Sequence, residues 1–193
     1  MALSLVTDVT AEPVSLDDQK AHLRMDDDAD DAYIGSCITA ARQWIEGQTK
    51  RAIMFQTWDY KIDYAWPVRF GGSRIDFPLN PVVVQGSPET TSITYVDSDG
   101  ATQTLATSQY TIAARRHGSF IVPAYGITWP TVRWVPDAIT VRFKAGDSDT
   151  IPQELHRAVM VLAGHYYEVR ETGIDAPPAV EAMISPFRQV TFR

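Results

Sequence analysis

The residues with the clearest chemical potential in this sequence are five aspartates within residues 26–31. Asp26, Asp28 and Asp30 alternate as the first three ligands of a calcium-binding loop do. Such a loop also needs glycine at its sixth position and glutamate at its twelfth, where this chain has aspartate and Cys37. The pattern therefore predicts no calcium site. Acidic residues that gather at a helix amino terminus, where the helix dipole favours negative charge, are the better interpretation.

Other side chains that could do chemistry are poorly placed for it. His156 and His165 fall on one predicted helix but nine residues apart, which puts them about 180° apart around its axis. They cannot chelate one metal ion within one chain. Cys37 lies between Ile34 and Ile38 on an apolar helix face, which favours a buried structural thiol over a nucleophile. We therefore predict no catalytic residue, no metal and no cofactor.

Two tryptophans, Trp129 and Trp134, stand in the proline-rich segment 123–136. Core packing is the favoured interpretation for both, because large aromatic side chains are mostly buried. A surface that recognises sugar or peptide is the alternative, and it would make the chain a free-standing carbohydrate- or peptide-binding module. A further alternative is an unrecognised hydrolase that uses Asp and His side chains of the β-rich insert, about residues 53–147.

Length and composition restrict the class of protein. The chain has 193 residues, of which 45% are hydrophobic and 21% charged, enough for a core and too few charges for disorder. Its net charge of −7 argues against a sequence-independent grip on nucleic acid. A single cysteine, no membrane-spanning run and no signal peptide predict a soluble protein made in a reducing cytoplasm.

The amino-terminal zone, residues 1 to about 52, is predicted to be helical after a short extended lead. Ser15 can cap a first helix, and Asp18 stands where a capping box places its acidic partner. A longer helix is predicted from about residue 28 to residue 49, because apolar residues recur there at steps of three and four. These residues are Tyr33, Ile34, Cys37, Ile38, Ala41, Trp44 and Ile45.

The central zone, about residues 53–147, has the composition of short strands. Aromatic and β-branched residues fill 55–64 with the partial alternation of a half-buried strand. Segments 92–96 and 102–105 flank a turn that ends at Gly100, which predicts a hairpin. Further short strands are predicted at 75–79, 110–113, 119–122 and 138–143. Together they indicate a small antiparallel sheet or sandwich.

The carboxyl-terminal zone, about residues 148–193, returns to helix, with a predicted buried stripe at Leu155, Val159, Leu162 and Tyr166. The apolar stripes of the first and last zones are too wide to stay exposed, so we expect them to pack together. The predicted fold class is therefore α+β. Residues 1–52 and 148–193 would form a helical bundle, and residues 53–147 an inserted small antiparallel β domain.

The order of these elements resembles the head–tail connector proteins, also called adaptor or head-completion proteins, of tailed bacteriophages and gene transfer agents. That order is helix, acidic elbow, long helix, β insert, helix and short helix. The matching segments cover nearly the whole chain and are residues 13–31, 40–42, 44–46, 49–52, 92–97, 121–126, 129–130, 141–143, 145–146, 161–162, 165–168 and 170. No single segment is diagnostic, and the resemblance lies in their order and spacing.

The resemblance implies a structural protein of the virion rather than an enzyme. Family members form a ring, usually of twelve copies, beneath the portal vertex of a filled capsid. For this chain it implies a homo-oligomeric ring at the head–tail junction of a phage or phage-like particle, after synthesis in the bacterial cytoplasm. The implied partners are the portal protein and the next tail-side connector or stopper protein. Packaged DNA would pass through the lumen without specific binding, and no membrane is involved.

Two sets of contact residues are expected. The long helix around Arg42 and Glu46 could pair with a neighbouring subunit, since charged contacts set the register of an interface. The carboxyl-terminal tail is rich in strand-forming residues at a free end, and we expect it to dock on a sheet edge of a neighbouring ring, the portal. Its residues are Arg188, Gln189, Val190, Thr191, Phe192 and Arg193. The alternative is that the tail folds back onto its own β region.

Overall fold

The computed structural model describes residues 1–69, 72–83, 91–115, 118–147, 151–170 and 175–188. The chain divides into two compact units. The β unit consists of Met1–Asp8 and Phe55–Gly146, and the helical unit consists of Val9–Met54 and Asp147–Arg193. Because these ranges alternate along the sequence, the chain passes from one unit to the other three times.

The helical unit is built from four described α-helices and one short 3-10 turn. They are α1 (Leu16–Leu23), α2 (Asp31–Thr49), α3 (Gln153–Glu168), α4 (Pro178–Ile184) and the 3-10 turn Ser185–Phe187. Among the described residues, none of these helices combines the length and the apolar character needed to cross a membrane.

The start of α1 follows from Ser15. Its hydroxyl accepts a hydrogen bond from the Asp18 amide at 3.1 Å and donates one to the Asp18 carboxylate at 2.7 Å. The predicted cap is confirmed, although Asp18 closes on the serine hydroxyl rather than on its backbone amide. Both α1 and α2 are followed by a residue in the left-handed conformation, Arg24 (φ 57°) and Lys50 (φ 53°), which ends each helix sharply.

One hydrophobic core joins the helices of the two ends of the chain. Ile34, Ile38 and Ile45 of α2 are at most 2% exposed, and they share this core with buried side chains of the later helices. Those side chains are Leu155, Ala158, Val159, Leu162, Ala163, Val180 and Ile184. The predicted α+β class, with amino- and carboxyl-terminal helices in one bundle, is confirmed.

The β unit contains ten short described strands, all paired antiparallel. They are β1 (Ala2–Thr7), β2 (Gln56–Ile62), β3 (Val68–Arg69), β4 (Gly72–Ser73), β5 (Ile75–Asp76), β6 (Thr91–Val96), β7 (Thr102–Thr104), β8 (Tyr110–Ala113), β9 (Phe120–Pro123) and β10 (Ile139–Ala145). The main sheet has the order β1-β2-β10-β6-β7, a second sheet has the order β5-β9-β8, and β3 pairs with β4.

The main sheet has one apolar and one polar face, as the alternation along β10 requires. Val141 and Phe143 of β10 are fully buried. Arg142, between them, points to the other face, where it donates two hydrogen bonds to the Asp59 carboxylate at 2.7 and 2.8 Å. The predicted hairpin is the β6–β7 pair, and Gly100 adopts φ 92° in its turn.

The amino end differs from the prediction. Residues 1–52 were assigned to the helical core, but Ala2–Thr7 forms β1 at the edge of the main sheet, with Ala2 opposite Lys61 and Leu5 opposite Trp58. These residues become a strand because they pair with a segment far along the chain, and local periodicity does not show such a partner. The helical unit therefore begins at Val9.

Candidate interaction surfaces

The acidic elbow, residues 26–31, is held first by a lysine of α1. The Lys20 ammonium lies 2.5 Å from Asp28 Oδ1 and 2.9 Å from Asp31 Oδ1. Hydrogen bonding to these two carboxylates raises the pKa of Lys20, and the same contact lowers the pKa of Asp28. This pair of contacts fixes the elbow to α1.

A second contact fixes the elbow to the end of α3. Asp30 Oδ2 accepts a hydrogen bond from the Tyr167 hydroxyl at 2.6 Å and one from Arg170 Nη2 at 2.9 Å. The Tyr167 hydrogen bond, followed by the charge of Arg170, lowers the pKa of Asp30. The Arg170 guanidinium also lies over the rings of Tyr33 and Tyr167, about 5 Å from each centroid (5.0 and 5.1 Å).

The aspartates of the elbow therefore act as structural anchors. Asp28 and Asp31 bind the Lys20 ammonium, and Asp30 binds the Tyr167 hydroxyl and the Arg170 guanidinium. These contacts occupy carboxylate oxygens that a calcium ion would need as ligands. Within the described part of the chain, no group of three or more His, Cys, Asp or Glu side chains is arranged to hold a metal ion.

Arg42 is the most deeply buried charged residue of the helical unit, at 1% exposed. Its Nε donates to Glu12 Oε2 at 2.8 Å and its Nη1 donates to Glu46 Oε2 at 3.0 Å. Thr39 Oγ1 donates to the other oxygen of Glu12 at 2.8 Å, and the Ile53 amide donates to Glu46 Oε1 at 2.8 Å. We call these five residues the Arg42 network.

The Arg42 network changes the interpretation of the predicted subunit contact. Arg42 is paired with both Glu12 and Glu46 of the same chain, and the side chains of Arg42 and Glu46 are only 2% and 12% exposed. Whether a neighbouring subunit also reaches Glu46 stays a prediction. The main role of the pair is internal, because its charges are compensated within the chain.

A cleft of about 430 Å³ lies in the helical unit between α1, α3 and the start of α4. His22 and Arg24 line one side of it, and His165 and Glu168 line the other. Gly164 of α3 faces α1, and a Cβ at this position would be in ordinary contact with the His22 ring at 3.5 Å. His165 therefore lines the same cleft as His22. The sequence analysis paired His165 only with His156, as a possible metal-binding pair.

Cys37 is buried in the helical core at 5% exposed. Its burial raises the pKa of the thiol, which keeps it protonated and poorly nucleophilic. This agrees with the prediction of a structural cysteine.

The two tryptophans of the central loop have different environments. Trp129 is half-buried, stacks on Trp66 at a centroid distance of 4.5 Å and donates a hydrogen bond to the Ser73 carbonyl. Trp134 is 75% exposed and stacks on Tyr64 at 5.0 Å. Packing inside the protein was the favoured interpretation for both, and for Trp134 it is wrong.

Most of the predicted tail lies outside the described residues, namely Gln189, Val190, Thr191, Phe192 and Arg193. Arg188 is described, and its guanidinium forms an ion pair with Glu181 of α4. The docking of the tail on a neighbouring ring stays a prediction.

Comparison with known proteins finds one family model and several solved structures to which the chain is similar. The family model described as phage gp6-like head-tail connector protein matches residues 13–85, which span α1, the elbow and α2. A solved structure, the neck of an empty GTA particle computed with C6 symmetry, matches with 26% identity and a TM-score of 0.81. The match covers 100% of this chain and 98% of that one.

Two further solved structures match over the same extent. The virion of the native gene transfer agent (GTA) particle matches with 27% identity and a TM-score of 0.81. The neck of the native GTA particle computed with C12 symmetry matches with 28% identity and a TM-score of 0.78. Among curated proteins, none matches this chain. The chain is thus similar to head–tail connector proteins over residues 13–85 and to proteins of GTA particles over its whole length.

The sequence analysis missed two features of the chain. Glu12, the main partner of Arg42, was not singled out because it lies 30 residues away along the chain. The position of Arg42 did carry information, since Ile38, Arg42 and Ile45 recur at the spacing of one buried helix face. The exposed stack of Tyr64 and Trp134 had no comparable pattern.

Replacement of the buried Arg42 should destabilise the chain. We expect Arg42→Met to lower the free energy of unfolding by about 3 kcal/mol, because Glu12 and Glu46 then lose their compensating charge. Urea denaturation measures this change. The triple variant with Glu12→Gln and Glu46→Gln added should recover much of the loss. No recovery in the triple variant would argue that lost packing, not uncompensated charge, is the cause.

The Asp30 contact should make stability depend on pH. Its folded pKa lies below the ordinary value of 3.8, so its contribution is complete above that value and is lost as the pH falls through the folded pKa. We therefore expect Asp30→Asn to be less stable than the unmodified chain at pH 7 and the difference to shrink as the pH falls below 3.8. Thermal unfolding at several pH values measures this. Asp26→Asn, at an exposed position of the same elbow, is the control and should follow the unmodified chain.

Proposed function

We propose that the connector forms a closed ring of twelve copies in the neck of a gene transfer agent or phage particle. In this position it joins the portal to the next tail-side connector or stopper protein and continues the channel for packaged DNA. The observation that carries the proposal is the likeness to neck structures over 100% of this chain, with TM-scores of 0.78 to 0.81. The proposed role is structural, with no catalytic step.

The symmetry of the related structures supports a ring. They were computed with C6 and C12 symmetry, and twelve copies satisfy both. A ring of this kind requires a heterologous contact, in which one surface of a subunit meets a different surface of the next. The helical and β units would serve as the two domains of each subunit.

The charges of the chain are consistent with a channel that does not bind DNA tightly. Binding to the phosphate backbone needs clustered, available Lys and Arg side chains, whereas this chain has a net charge of −7. Lys20, Arg42, Arg142 and Arg170 are each paired with carboxylates of the same chain. DNA could therefore pass along such a surface without a tight hold.

The carboxyl-terminal tail supports a contact with the portal. Arg188 is held on α4 by Glu181, which gives the tail a fixed starting point. The five residues that follow include Val190, Thr191 and Phe192, which favour extended backbone and could add a strand to a sheet edge of the portal.

Electron microscopy of purified particles tests the proposed position and ring. We expect this chain at the head–tail junction as twelve symmetry-related copies that surround the channel. Particles in which the chain is absent from the neck, or is present there as single copies, would refute the proposal. Immunogold labelling of a tagged chain gives an independent check of its position.

Deletion of residues 189–193 tests the portal contact. We expect the truncated chain to fold with an unchanged thermal unfolding midpoint, because the last residues of a domain usually contribute little unless a partner ties them down. Particles assembled with it should lack tails, and the titre of transducing or infectious particles should fall at least about a hundredfold, as expected when an essential junction is lost. Thr191→Ser, which keeps the length and character of the tail, is the control. Tail-bearing, active particles from the truncation would refute the contact.

A further inference from the structure

We draw no further inference here: the strongest candidate, the exposed apolar side chains of the β unit on strand β1 and at the stacked rings of Tyr64 and Trp134, carries none because nothing in the described structure shows what covers them.

Discussion

One buried arginine constrains how the chain passes in and out of the helical unit. Arg42 binds Glu12, which lies shortly after the chain enters the helical unit at Val9. Arg42 also binds Glu46, which accepts a hydrogen bond from the Ile53 amide just before the chain leaves that unit after Met54. The Ile53 carbonyl in turn accepts the amide of Asp147 at 3.3 Å, directly after the third passage. All three passages are therefore connected to one turn of α2 by polar contacts.

We infer that this network contributes more to specificity than to stability. Removing a charge from water is costly, and a buried pair recovers the cost only when its geometry and its remaining hydrogen bonds are good. Here each carboxylate has a second donor, Thr39 for Glu12 and the Ile53 amide for Glu46. An apolar core alone would hold α2 in place equally well, but it would not select where three separate segments meet it.

The sequence analysis predicted the elements that depend on contacts between residues close in sequence. It missed those that depend on contacts between residues far apart in sequence. The stripe of α2, the Ser15 cap and the Gly100 turn depend on neighbours within a few residues, and all three were found. Strand β1 depends on β2, with Leu3 opposite Tyr60, and the elbow depends on Asp30 meeting Tyr167, 137 residues away. Trp134 was predicted to be buried because most tryptophan side chains are buried, and no local sequence pattern indicates an exposed aromatic stack.

The two units divide the requirements of an assembly protein. In the described helical unit, the buried apolar side chains share one core, and Lys20 and Arg42 are paired with carboxylates of the same chain. The β unit keeps large apolar side chains in solvent, each worth about 1.5–3 kcal/mol if a partner covers it fully. That free energy is small for one contact, but a closed ring has a contact on both sides of every subunit. A modest exposed surface can therefore leave single chains soluble and still favour the complete ring strongly.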